Sequence, residues 1–179
     1  AALREPCAFS SPQGDADAKG MLMFPQTLLN EGAARFDRQG LTMKFHAAGD
    51  AAVRAAIDAV AYVRQVNGGS GPSHGVAHAN FVNIADLPRV RALNIAREFS
   101  PYVWYPASVD SNGIRHVIGD ERMRRWTPIK DGLASGALVV AGSDWSVVPS
   151  VNPWLAFETM LTRQTPGGSP SSVAEDQRI

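Results

Sequence analysis

The chain has 179 residues, enough for one domain with a sizeable core, and its 45% hydrophobic and 19% charged residues exclude disorder and collagen-like repeats. Lys+Arg and Asp+Glu number 17 each, so no net field draws in nucleic acid or an anionic membrane, and a small-molecule substrate is the expected partner. Cys7 is the only cysteine, which excludes an internal disulfide and a thiolate zinc cluster and leaves His and carboxylates as metal donors.

Residues 1–20, rich in Pro, Ser, Gly and Asp, read as a loop or lead-in. From Phe24-Pro25 to Gly40 the pattern is helical, with Leu28, Leu29, Ala33 and Phe36 at helical spacing. Leu41 to His46 predicts a short strand, ending at Ala47-Ala48-Gly49-Asp50, where the Asp50 carboxylate is placed to cap the next helix. That helix, about Ala51 to Val66, sets Val53, Ile57, Val60 and Val63 along one apolar stripe and stops at the Gly/Pro-rich stretch 67–72. Gly75 to Ala79 predicts a second buried strand, Ile84 to Leu93 a helix, and Ile95 to Ser100 a third strand before an aromatic loop, Tyr102-Val103-Trp104-Tyr105-Pro106. A helix from Asp120 to Ser135, divided or kinked at Pro128, leads to Gly136–Gly142, whose near-continuous apolar character suits a strand covered on both faces. A last helix, Pro153 to Arg163, precedes a Gly/Ser/Pro-rich tail. The domain is therefore expected over 21–168, with 169–179 as tail. Alternating strands and helices imply parallel strands with right-handed crossovers, in an open sheet or a barrel.

Three strands end in residues able to bind metal or move protons. His46 closes the first, His78 the second, and Asp144 follows the fourth in Gly142-Ser143-Asp144-Trp145. In a parallel α/β protein these ends share one face, where active sites are built, and two imidazoles with a carboxylate suit zinc or a similar divalent ion. Alone, each has a bland structural reading, as a packed histidine or a capping aspartate; together they point to a shared polar site. His74 cannot share an ion with His78, because four strand residues separate them by about 13 Å. It is expected to pack in the barrel interior or to support the ligands from behind. Lys44, on the same strand face as His46, is read the same way.

Phe45-His46-Ala47-Ala48-Gly49-Asp50 resembles the His-Ala-Ile-Gly-Asp stretch of the amidohydrolase family 3 (YtcJ-like) proteins. His74-Gly75-Val76-Ala77-His78-Ala79 is similar to their His-Arg-Ile-Glu-His-Ala segment, and Gly142-Ser143-Asp144-Trp145 with Val147 to their Gly-Ser-Asp-Trp-Pro-Val turn, with Thr162-Arg163 following. Ala77 departs from the usual Glu and Ser146 from the usual Pro. The resemblance implies a partial TIM (β/α)8 barrel of the metal-dependent hydrolase type, about strands five to eight with their helices. It implies His46 and His78 as metal ligands, a divalent ion such as zinc, and Asp144 as acid–base residue in cleavage of amide-like C–N bonds by metal-activated water.

Such family members carry a His-X-His pair after strand one, and this chain has none. The chain is accordingly expected to be a fragment, weak or inactive in metal binding and turnover, and prone to homo-oligomerise through exposed sheet edges. A non-catalytic oligomerising or binding module is the first alternative. A nucleotide-binding α/β domain is the second, opposed by the lack of a strand leading into a phosphate-binding glycine loop. The short basic run Arg122, Arg124 and Arg125 reads as a solvated helix face rather than a nucleic-acid surface. No apolar run reaches the roughly 20 residues of a membrane span, and the compartment stays open, with the cytoplasm slightly favoured.

Overall fold

The computed structural model describes residues 19–103, 105, 113–147 and 150–179. Helix α1 (Gln26–Arg38) leads into β1 (Lys44–Ala47), α2 (Asp50–Asn67) and β2 (Gly75–His78). A 3-10 turn (Ile84–Asp86) and α3 (Leu87–Ala92) precede β3 (Ala96–Phe99). Three short helices, α4 (Ile114–Ile118), α5 (Asp120–Met123) and α6 (Ile129–Ala134), then lead to β4 (Leu138–Ala141) and α7 (Pro153–Thr162). The four strands form one parallel sheet in the order β1-β2-β3-β4, so the expected alternation holds and every strand C-terminus lies on one edge of the body. Among the described residues no helix is long and apolar enough to cross a membrane.

Register and the two-residue strand period divide the sheet into two unlike faces. Phe45, Ala47, Val76, Arg97 and Phe99 turn to the helices and are buried. The predicted stripe of α2 covers this face, with Val53, Ile57, Val60 and Val63 each 2% exposed or less. Full burial of such side chains stabilises by roughly 1.5–3 kcal/mol each. Lys44, His46, Glu98, Leu138 and Val140 share the other face, which is much barer: Leu138 is 56% and Val140 40% exposed. Among the described residues β4 is therefore an edge strand with only Val139 partly covered, where its apolar run predicted cover on both faces.

Other differences have local causes. Gly49 occupies the cap position of α2 and Asp50 is its first residue, so the expected Asp50 cap is not the one used. In α1 the buried side is Ala33, Ala34 and Asp37, while Leu28 and Phe36 are exposed, because α1 lies on α2 through its small residues. The predicted helix Asp120–Ser135 is divided before Pro128 into α5 and α6, as expected, and a helix not predicted, α4, precedes it across Gly119, which takes a positive φ of 86°. Val173, well beyond α7, is 1% exposed and joins the core.

Polar groups tie the helices to the sheet at two places. His74, fully buried just before β2, accepts the Met43 N–H at Nδ1 (3.1 Å), which leaves its proton on Nε2 to face Asp37 Oδ1 of α1 (3.1 Å). Asp37 is also held by Arg64 Nη1 (3.1 Å) and Asn67 Nδ2 (2.9 Å) from α2. His74 thus serves the helix side of the sheet and not the barrel interior, as the face alternation from Val76 requires. At the far end, the buried Arg163 donates to the carbonyls of Val173 (2.8 Å), Thr127 (3.3 Å) and Trp126 (2.6 Å). Arg97 is the contrary case. It is 1% exposed, lies 4.8 Å from the Phe99 ring centroid, and none of its guanidinium nitrogens has a hydrogen-bond partner. Burial lowers the pKa of Arg97 to about 10 and that of Arg163 to about 9.

Two predictions follow from these networks. Burial pushes the His74 imidazole below its ordinary value, only partly offset by Asp37. The unfolded chain therefore takes up a proton near pH 6.5 that the folded chain resists, and stability falls as pH drops below that point. Burial also works against the Asp37 carboxylate, but hydrogen bonds from Asn67 and His74 outweigh it and hold the group below its ordinary value. Its contribution is present above about pH 3.8 and is lost only as pH falls through the lower folded value. Denaturant melts at pH 5, 6, 7 and 8 should show a slope that His74→Gln flattens; an unchanged slope refutes the assignment. The two buried arginines should respond in opposite directions: Arg163→Met loses about 3 kcal/mol or more through its stranded carbonyls. Arg97→Met gains roughly 1–2 kcal/mol by removing an unsatisfied buried cation.

Candidate active site

The strand ends deliver the expected residues to one place, with an adjustment that strand geometry did not provide. Register pairs His46 with Ala77 and His78 with Ala47, so plain alternation sends the two histidines to opposite faces. His78 escapes this by leaving the extended conformation: its φ is +66° and that of Ala79 +43°, a region that non-glycine residues enter rarely. The result is a pair of imidazoles with ring centroids 4.3 Å apart, tilted by 58°. Neither ring has a hydrogen-bond partner among the described residues, which leaves their nitrogens available as donors to a ligand. Asp144, beyond β4, is also left-handed, at φ +56°.

His46, His78 and Asp144 line one cavity of about 260 Å³ together with Lys44, Ala77 and Glu98. Burial and the neighbouring His46 push the His78 imidazole below its ordinary value, while Asp144 and Glu98 act in the other direction. A neutral imidazole is the form that can donate an electron pair to a metal. Two such rings and a carboxylate have the chemistry of a divalent-ion site. Among the described residues, however, no three His, Cys, Asp or Glu side chains converge closely enough to hold an ion. The described part of the site therefore fits such an ion as a pair of imidazole donors, and not as a closed set.

Glu98 was not anticipated from the sequence. Its carboxylate takes the Lys44 ammonium at 2.7 Å through both oxygens. The only sequence signal for it was an acidic residue inside a short strand otherwise apolar or covered, and Arg97 beside it blurred that signal. Gly142, first residue after β4, makes room for the pair: a Cβ there would stand 2.6 Å from Glu98 Oε1. Trp145, next to Asp144, is 70% exposed and does not line the cavity among the described residues. Trp104 of the aromatic loop lies outside the described residues.

A parallel α/β body with histidines and an aspartate gathered at its strand C-termini defines a class of hydrolase-like folds. The comparisons with known proteins narrow that class. A model of the Amidohydrolase family matches residues 1–179, and the chain belongs to this family, as its motifs indicated. The fold is similar to that of an uncharacterised metal-dependent hydrolase from Pyrococcus furiosus, with TM-score 0.73 and 23% identity over 99% of this chain and 33% of that one. A second such hydrolase, from Pyrococcus horikoshii OT3, gives TM-score 0.71 and 24% identity over 91% of this chain and 30% of that one. These likenesses show the fold, and a partial barrel is consistent with them. Protein LONG AFTER FAR-RED 3 of Arabidopsis thaliana is 28% identical over 146 residues, 81% of this chain and 24% of that protein. The chain thus spans about a quarter to a third of the length of these relatives.

The fit of Glu98 against Gly142 is open to a direct test. Gly142→Ala is expected to leave the fold intact, because the atoms it meets belong to the movable end of a side chain. It should nevertheless displace the Glu98 carboxylate from Lys44. A crystal structure of the variant with the ion pair still at 2.7 Å would refute this.

Proposed function

We propose that this chain forms part of a metal-dependent amidohydrolase site that cleaves amide-like C–N bonds of a small molecule with water. The observation that carries the reading is the convergence of the His46 and His78 rings, both without hydrogen-bond partners among the described residues, in one cavity with Asp144. His46 and His78 are the metal-ligating residues in this reading, and zinc is the divalent ion that paired imidazoles suit. Bound there, the ion would supply Lewis acidity toward a carbonyl and toward water. In this reading Asp144 takes a proton from water and returns it to the leaving nitrogen. Ala77, small and buried on β2 beside His46, leaves the floor of the cavity open.

Two imidazoles make an incomplete coordination sphere, so the remaining donors come from outside the described residues, and the chain by itself is expected to bind metal weakly and turn over negligibly. The bare sheet face around Leu138 and Val140, and the two edge strands β1 and β4, favour association with a second copy. Nucleic acid and membrane are not expected partners, given the balanced charge. The absence of a three-ligand cluster among the described residues favours a second reading, a non-catalytic α/β module that oligomerises or binds through this face.

Zinc titration by calorimetry, paired with light scattering, separates the two. The amidohydrolase reading expects measurable zinc uptake by the wild-type chain, lost in His46→Ala and in His78→Ala but kept in Asp144→Asn. Uptake that survives both histidine substitutions, or no uptake at all, favours the module. A monodisperse monomer would count against association in either reading.

A further inference from the structure

The ion pair of Lys44 and Glu98 spans two strands, and its position inside the cavity gives it a use. β1 and β3 are not neighbours; β2 lies between them, which places their backbones about 10 Å apart. Register puts Lys44 beside Gly75, and Ala77 beside Glu98, on the cavity face. The small residues of β2 there, a glycine and an alanine, let a lysine on β1 lie across it to meet a glutamate on β3. The lysine stem packs beside Gly75, where a Cβ would stand in ordinary contact with Lys44 Cγ at 4.0 Å. On the far side, Gly142 leaves the space that the carboxylate fills. Residues of β2 and β3, and Gly142 just after β4, therefore accommodate this one contact.

An ammonium has three N–H donors, and two suffice for the two carboxylate oxygens, each at 2.7 Å. Lys44, its side chain 59% exposed, lines the same cavity as His46, His78 and Asp144, and its ammonium has donor capacity left over. The charge balance says what it takes. Lys44 and Glu98 cancel, and Asp144 adds a negative charge, so an anion gains little from this ammonium, whereas a neutral carbonyl oxygen needs only the N–H. The geometry points to Lys44 as a substrate-binding residue that donates to the carbonyl oxygen of a neutral amide, with Glu98 as the positioning residue that holds its ammonium in the cavity. This deepens the reading of the cavity as an amide-hydrolysing site and rests on it.

The chain contains three lysines, Lys19, Lys44 and Lys130, so lysine-selective isotope labelling gives a simple spectrum in which Lys44 can be assigned by substitution. N-methylacetamide, titrated into the full metal-free chain and followed by NMR, is expected to shift the Lys44 side-chain signals and the His46 and His78 ring signals with one common Kd. Lys44→Met should weaken that Kd by about tenfold or more, the usual loss for a hydrogen bond to a charged group. Lys44→Arg should recover part of it. Glu98→Gln should weaken binding and broaden the Lys44 signals, a change that a merely structural role for Lys44 does not predict. A backbone amide spectrum confirms that each variant is folded. No response of the wild-type chain, or a Kd unchanged in both Lys44→Met and Glu98→Gln, overturns the proposal. Zinc titration of the wild-type chain is measured separately. Failure of zinc binding with amide binding intact would remove the metal reading and leave Lys44 in place.

Discussion

The site depends on one break in a regular pattern. A parallel sheet brings its strand ends together, but a two-residue period would leave His46 and His78 on opposite faces of it. The left-handed turn at His78 and Ala79 carries the second imidazole back over the edge to within 4.3 Å of the first. Such backbone costs of order 1–3 kcal/mol per residue and persists only where the surroundings enforce it. Here hydrogen bonds to the end of β1 hold the turn: Ala79 N donates to Ala47 O at 2.9 Å and Phe81 N to Ala48 O at 3.0 Å.

The two faces of the sheet divide the work. Stability resides on the helix side, where α2 buries its valines and isoleucine and where Asp37, Arg64 and His74 lock α1 and α2 to the start of β2. Each buried polar group in that lock has a partner, which is the condition under which burial of charge is tolerated. The opposite face holds small or polar residues and contributes chemistry instead. Gly75 and Ala77 contribute by what they lack, opening the space in which Lys44, Glu98, His46 and His78 meet. Arg97, one position before Glu98, shows the cost of placing a cation on the wrong side of this division.

Membership of the amidohydrolase family gives these observations a common sense. Within a fold of this kind the strand C-termini carry function and the strand bodies carry packing. Loops set what is bound, and the cavity described here has a floor built from strands alone, which is the part least able to vary without disturbing the core. A neutral cation–carboxylate pair beside two imidazoles is suited to polar, uncharged ligand groups rather than to phosphates or nucleic acid.

The sequence by itself determined the alternation of helices and strands, the buried stripe of α2, and the family to which the motifs around His46, His78 and Asp144 point, because hydrophobic period and local motif depend on near neighbours in the chain. His46 and His78 were legible as candidates for the same reason: each lies at or next to the end of a short strand ahead of a turn. Tertiary structure alone decided the rest. Glu98 joined the cavity, since its partner Lys44 lies two strands away; His74 went to the helix side, since Asp37 of α1 was there to receive its proton; and β4 stayed half bare despite its apolar run, since what covers a strand is set by elements distant in the chain. Cross-strand register, helix placement and the left-handed turn at His78 are collective choices, made only when the whole body packs.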